Sequence, residues 1–188
     1  MRVLFLENED SFSWNVVDAL PFDRDDMEIR PGRKVAERLE TLRDFDAVVL
    51  GPGPEDPQRA GLLGVVQAAA LARMPLLGIC LGHQAIGLAF GARLRRCRPC
   101  HGKQSTVLFE RSRLFPGIAG PHQVMRYHSL GLEDVQSPLV VVATTQDGLA
   151  MAVEHACLPI AGLQFHPDSY GTPTGRQMLA EFFAAVAA

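Results

Sequence analysis

Short apolar runs that end in glycine or acidic loops, each followed by a segment of helical period, fill the first half of the chain. Such alternation constrains it to an α/β sheet with parallel strands. Arg2 to Leu6 reads as a buried strand, and Asp10 or Ser11 can cap a helix from Phe12 to Leu20. Met27 to Arg30 is a second short strand, and a helix is expected from about Arg33 to Leu42. Ala47 to Leu50 is the next strand, and it stops at Gly51-Pro52-Gly53-Pro54, where two prolines withhold donors and two glycines permit unusual backbone angles. A helix over Gly61 to Ala72, a strand over Pro75 to Ile79 and a helix over His83 to Phe90 follow.

Beyond Gly91 the pattern turns β-rich. Gln104 to Phe109, Val124 to Tyr127, Leu139 to Thr145, Ala150 to Val153 and Ile160 to Phe165 are strand-like, and a final helix is expected over Thr174 to Val186. No internal repeat, low-complexity tract or linker interrupts the chain, and 188 residues suffice for one domain with its own core, spanning 1–188. The expected fold is a single α/β domain of flavodoxin-like type. Its central, mostly parallel sheet is flanked by helices, with the functional site at the carboxyl ends of the strands.

Composition excludes several classes of function. With 47% hydrophobic and 21% charged residues the chain is not of disordered composition. Eighteen basic against 21 acidic residues give a net charge of -3, so no global positive field exists to hold nucleic acid or anionic lipid, and neither nucleic acid nor membrane is an expected partner. The start, MRVLFLENED, reads as a first strand and not as a signal peptide, and no stretch is long and apolar enough to span a bilayer. Four cysteines without a secretion signal point to reduced thiols and a cytoplasmic location.

The most informative segment is PLLGICLGHQAIG at Pro75 to Gly87, an apolar strand that runs through Gly78-Ile79-Cys80-Leu81-Gly82 into a helix. This is the form of a nucleophile elbow. The glycines permit a tight turn that projects one side chain outwards, and the new helix offers unpaired N–H groups and its positive dipole end. Both favour a thiolate at Cys80 and place an oxyanion donor, the N–H of Leu81, beside an attacked carbonyl. A buried core cysteine is the other reading. The best base among six histidines is His166 in GLQFHPDS, where His166 and Asp168 are two apart and share a face in extended backbone. Turn chemistry at a strand end is the plain alternative for His-Pro-Asp.

Six ordered motifs, NEDSF at Asn8 to Phe12, GPGP at Gly51 to Pro54, GICLGHQAIG at Gly78 to Gly87, HGK at His101 to Lys103, YHSL at Tyr127 to Leu130 and QFHPDS at Gln164 to Ser169, make the chain resemble the class I, triad-type glutamine amidotransferases. Within them it is most similar to the glutaminase component of anthranilate synthase and aminodeoxychorismate synthase. The resemblance implies Cys80 as nucleophile, His166 as general base and Asp168 as its orienting carboxylate. It implies the backbone N–H groups of Gly53 and Leu81 as oxyanion hole, and Gln84 with the backbone of Ser129 and Leu130 as holders of L-glutamine. It further implies ammonia delivery to a chorismate-using synthase subunit. Two departures stand out. The family usually has Glu where this chain has Asp168, one methylene shorter, so the carboxylate must approach by backbone adjustment or act through a longer bond or water. The family commonly opens Asp-Asn-x-Asp-Ser-Phe where this chain has Glu7-Asn8-Glu9-Asp10-Ser11-Phe12. A glutaminase serving carbamoyl phosphate, GMP or CTP synthesis, and a non-catalytic regulatory subunit that kept the fold, are the competing readings.

Cys97-Arg98-Pro99-Cys100-His101 has the spacing of covalent haem attachment and of redox or zinc sites. Haem attachment needs export, zinc needs further ligands, and His101 belongs to HGK, so a structural role is expected, with a redox-sensitive pair as the alternative. GPGP lacks the lysine and spacing of a phosphate loop, no dinucleotide or metal signature is present, and no cofactor is expected. His83 reads as a surface cap of the helix after the elbow. Trp14, Phe22, Phe182 and Phe183 read as core.

Overall fold

The computed structural model describes residues 1–187. In chain order the elements are β1 (Val3–Glu7), α1 (Ser13–Ala19), β2 (Met27–Pro31), α2 (Gly32–Ala36), β3 (Ala47–Leu50), α3 (Leu62–Leu71), β4 (Leu76–Ile79), α4 (Leu81–Ala89), β5 (Arg93–Phe109), β6 (Gly120–Glu133), β7 (Leu139–Thr145), β8 (Ala150–His155), β9 (Ile160–Leu163) and α5 (Gly175–Ala187). The strands form one sheet in the order β2-β1-β3-β4-β9-β8-β7-β5-β6. From β2 to β9 every neighbouring pair is parallel, and from β9 to β6 every pair is antiparallel. The α/β architecture is therefore mixed: the parallel half carries the strand ends expected to hold a site, and the β-rich second half forms the antiparallel wing.

The parallel strands are apolar at consecutive positions because both of their faces are covered. Val3 and Phe5 of β1, Ala47 and Val49 of β3 and Leu77 and Ile79 of β4 pack with Val16 and Val17 of α1 and Met178, Leu179 and Phe182 of α5. The alternate residues Leu4, Leu6, Val48, Leu50 and Leu76 pack on the other face with Val35 of α2, Leu62, Val65 and Val66 of α3 and Ala85 and Ile86 of α4. Most of these side chains are fully buried, each contributing about 1.5–3 kcal/mol relative to exposure.

Four local expectations are corrected. The helix expected from Arg33 to Leu42 is split into α2 and a 3-10 turn over Leu39–Asp44, because Arg38 leaves the helical region at φ −141°, ψ 66°. Val35, Leu42 and Phe45 all pack into one core across the break. Asp10 does not cap α1 itself: its Oδ1 accepts from the Phe12 N–H at 2.8 Å, one residue before the helix, and the capping residue of α1 is Phe12, without a side-chain bond. Trp14 is not core. It is 54% exposed, with the Arg24 guanidinium 5.3 Å from its ring centre, whereas Phe182 and Phe183 are buried and Phe22 packs edge-on against Phe183. His83 is no surface cap, being completely buried behind the elbow.

Candidate active site

The loop after β3, the turn from β4 into α4, and residues of β5 and β6 line one small cleft. Cys80 follows β4 directly and stands at φ 51°, ψ −94°, a positive φ that a side-chain-bearing residue adopts at a cost of about 1–3 kcal/mol. Its N–H is fixed by the Leu163 carbonyl of β9 at 2.8 Å, and its carbonyl accepts from the Gln84 N–H at 3.1 Å to start α4. The turn is closed by contact. A Cβ on Gly78 would lie 2.4 Å from the backbone of Gly82, and one on Gly82 would lie 2.4 Å from the Leu50 carbonyl oxygen. Glycine is thus required for β4, β3 and α4 to approach so closely.

Gly53 and Leu81 line the cleft together with Cys80. The Gly53 backbone runs so near the elbow that a Cβ there would meet Leu81 Cδ2 at 2.5 Å and Asn8 at 2.9 Å. Asn8 in turn ties β1 to β3, its side-chain amide donating to the Gly51 carbonyl at 3.0 Å. Leu81 is the first residue of α4, where the N–H has no partner within the helix. The cleft, of about 160 Å³, is completed by Gln84, His101, Tyr127, His128, Ser129 and Leu130.

His166 arrives from the extended backbone after β9. Its N–H bonds to the Met125 carbonyl at 3.0 Å and its carbonyl accepts from the Thr172 hydroxyl at 2.7 Å, which pins the residue between β6 and the turn before α5. The ring is wedged edge-on between Phe12 and Tyr127, with centroids 5.4 and 5.1 Å away. Asp168 Oδ1 stands 3.3 Å from His166 Nδ1, both side chains being inaccessible to solvent. That separation exceeds the ≈ 2.7–2.9 Å of a strong charge-assisted bond, and neither Asp168 oxygen makes a well-directed hydrogen bond. Burial pulls the His166 pKa down, but pairing with Asp168 on one side and the Cys80 thiol on the other outweighs it and raises the pKa to about 10. The ring thus stands between a carboxylate and a sulfur, both of which favour its protonated form.

Of the eight residues singled out from the sequence, Cys80, Gly53, Leu81, Gln84, Ser129 and Leu130 line this cleft, while His166, backed by Asp168, packs on Tyr127 of its wall. Gln164 was missed. It is fully buried, its side-chain amide donates to Cys80 Sγ at 3.7 Å, and its oxygen accepts from Gln84 at 3.2 Å. The period of two that joins His166 to Asp168 also includes Gln164. His128 is a structural partner of the cleft. Arg126 Nε donates to its Nε2 at 3.1 Å, so the ring proton sits on Nδ1 and is given to the Leu130 carbonyl at 2.8 Å. Burial, reinforced by Arg126, lowers the His128 pKa to about 4 and keeps the ring neutral.

Cys97 and Cys100 carry free thiols, as do Cys80 and Cys157. Cys97 Sγ lies 3.9 Å from Nδ1 of His128, a residue of the cleft lining. No helix among the described residues is long and apolar enough to cross a membrane.

Comparison with known proteins places this geometry in a family. The profile of the glutamine amidotransferase class-I family matches residues 4–186. The chain is 42% identical over 188 residues to anthranilate synthase component 2 of Mycobacterium tuberculosis, covering 97% of this chain and 81% of that protein. It is 40% identical over 193 residues to an aminodeoxychorismate synthase of Streptomyces griseus, covering 97% of this chain but only 26% of that longer protein. A solved glutamine amidotransferase from Thermotoga maritima shares the fold with a TM-score of 0.72 at 18% identity, over 100% of this chain and 84% of that one. The chain belongs to the class-I glutamine amidotransferase family.

Proposed function

We propose that the chain is the glutaminase subunit of a chorismate-using synthase, hydrolysing L-glutamine to glutamate and handing the ammonia to that partner for anthranilate or 4-amino-4-deoxychorismate synthesis. The observation that carries the catalytic part is the line Cys80, His166, Asp168, in which a sulfur at a strained elbow faces a buried imidazole ring backed by a carboxylate. The acceptor class is supported by the relatives bearing the names anthranilate synthase component 2 and aminodeoxychorismate synthase. The four free thiols suit a reducing compartment, and we place the protein in the cytoplasm.

In this mechanism the Cys80 thiolate adds to the side-chain amide carbon of glutamine, and the carbonyl π pair moves onto oxygen. The N–H groups of Gly53 and Leu81 hold that oxyanion, a donor of this kind being worth about 2.7–4 kcal/mol of barrier. Gln84 and the backbone of Ser129 and Leu130 orient the substrate. The oxyanion pair re-forms the carbonyl, the C–N bond breaks, and the proton on His166 passes to the departing nitrogen to give ammonia and a glutamyl thioester. Neutral His166 then takes a proton from water, whose oxygen attacks the thioester. Glutamate leaves and the thiolate–imidazolium pair is restored. Asp168 keeps the imidazole oriented throughout.

The test is glutamate release from glutamine by the purified chain, with and without a chorismate-using synthase subunit. Release should rise with the partner and vanish in Cys80→Ser, while the complex of that variant retains synthase activity with ammonium salts. Absence of release in a demonstrated complex would sink the catalytic reading, and loss of the ammonia-dependent reaction as well would make Cys80 structural.

A further inference from the structure

Arg126, on β6, is only 8% exposed, yet no described carboxylate stands within ion-pair distance of it. Its recorded partners are neutral: His128 Nε2 at 3.1 Å and the Ser105 hydroxyl at 3.2 Å. A cation so buried is normally paired, because desolvation is otherwise uncompensated. The side chain opens instead onto a cavity of about 540 Å³, larger than the cleft at Cys80 and within the ≈ 300–1,000 Å³ of small-molecule sites. Its walls add the exposed cations Arg95, Arg96, Arg98 and Lys103, against the single carboxylate of Asp147 among the described lining residues. Lys103 lies directly opposite Arg126 in the strand register, a like-charge pairing that costs stability when nothing lies between. Five cations thus converge on one hollow in a chain whose net charge is -3.

We propose that this cavity is an anion site for a small, multiply charged oxyanion, a di- or tricarboxylate or a phosphate ester, with Arg126 as its buried anchor. The planar forks of the arginines match carboxylate and phosphate oxygens in pairs. The site has a direct line to the cleft at Cys80. Arg126 bonds His128, His128 bonds the Leu130 carbonyl, and the same carbonyl accepts a 3.5 Å contact from the Gln84 side chain. An anion that fixes Arg126 therefore fixes the wall of that cleft. This second part rests on the reading of the cleft as a glutamine site; the anion binding itself does not.

Calorimetric titration of the full chain with citrate and with inorganic phosphate, at constant ionic strength set by chloride, tests the site without any enzymatic assay. Saturable binding of at least one probe is expected, weakened at least about tenfold in the doubly substituted Arg95→Ser/Arg98→Ser chain, whose exposed positions leave the core untouched. Arg126→Gln should abolish it, and the surface variant keeps the test decisive if that buried change impairs folding. No saturable binding by either probe up to millimolar concentration, or parental affinity in the surface variant, overturns the proposal. Repeating the titration on the complex separates two sources of the anion. Retained binding identifies a free small molecule, and binding lost on assembly overturns the proposal in favour of acidic side chains of the partner. Citrate should also lower the KM for glutamine about fivefold in the parent and not in the surface variant. An unchanged KM with proven citrate binding would overturn the coupling alone, whereas a chain without glutaminase activity would leave the titration result standing.

Discussion

Asp168 is the residue on which the proposed chemistry turns most finely. At 3.3 Å from His166 Nδ1 it retains its electrostatic hold but not a short hydrogen bond. We expect Asp168→Asn to lower kcat/KM for glutamine about 10- to 100-fold, the scale of removing an opposite charge within about 4–6 Å of an ionised group. The carboxylate helps to hold the His166 pKa near 10, so the same variant should lose activity at lower pH on the alkaline side. Glutamate release measured from pH 7 to 10 checks both, and an unmoved alkaline limb would show that Asp168 does not act through His166. The placement of this residue was legible because alternation in extended backbone puts Asp168 and His166 on one face. The same alternation points to Gln164, which escaped notice because an amide neither titrates nor attacks. Phe12 and Tyr127 were quoted within motifs, yet nothing in their spacing says that they flank the His166 ring from separate elements.

At the scale of elements, the loop after β3 and the start of α4 act as one unit. Gly53→Ala would drive a Cβ into Leu81 and Asn8, so the loop must retreat. We expect a roughly 10²- to 10³-fold fall in kcat, the usual consequence of losing one oxyanion donor, with glutamine binding and secondary structure largely kept. Single-turnover glutamate release beside far-ultraviolet dichroism would decide it, and an intact rate would remove Gly53 from the oxyanion hole. The strands that build this unit were legible because burial on both faces leaves β1, β3 and β4 continuously apolar. β5 and β6 were not. The sequence suggested strands only at Gln104 to Phe109 and Val124 to Tyr127, whereas the paired strands run over Arg93–Phe109 and Gly120–Glu133. Much of β5 is solvent-exposed, rich in arginine and interrupted by a register shift between Arg96 and Cys100, so no hydrophobic alternation marks it.

For the whole molecule, three of the four buried histidines set opposing pH dependences. The His166 pKa is raised to about 10 in the fold. Its contribution is fully present below the unfolded value of about 6.5 and is lost as pH rises from there toward 10. Burial lowers the pKa of His83 to about 3 and of His128 to about 4, so both stay neutral in the fold while the unfolded chain takes up their protons. Their contribution is therefore lost as pH falls from 6.5 toward 4 and 3. Each proton of difference changes stability by about 1.4 kcal/mol per pH unit. Urea midpoints at pH 4.5, 6.5 and 9.5 should be highest at the middle value. A midpoint that climbs steadily to pH 9.5 would mean that His166 is not held protonated.

The sheet order also sets when the molecule can become reactive. β9 inserts beside β4 although it is the last strand made, and Gln164 and Cys80 meet across 84 residues of chain. During synthesis the elbow can form long before its histidine has left the ribosome, and non-local contacts of this kind are among the slowest to close. The thiol therefore stays without its His166 partner until β9 fills the centre of the sheet. In the proposed chemistry, assembly of the sheet and switching on of the nucleophile are one event.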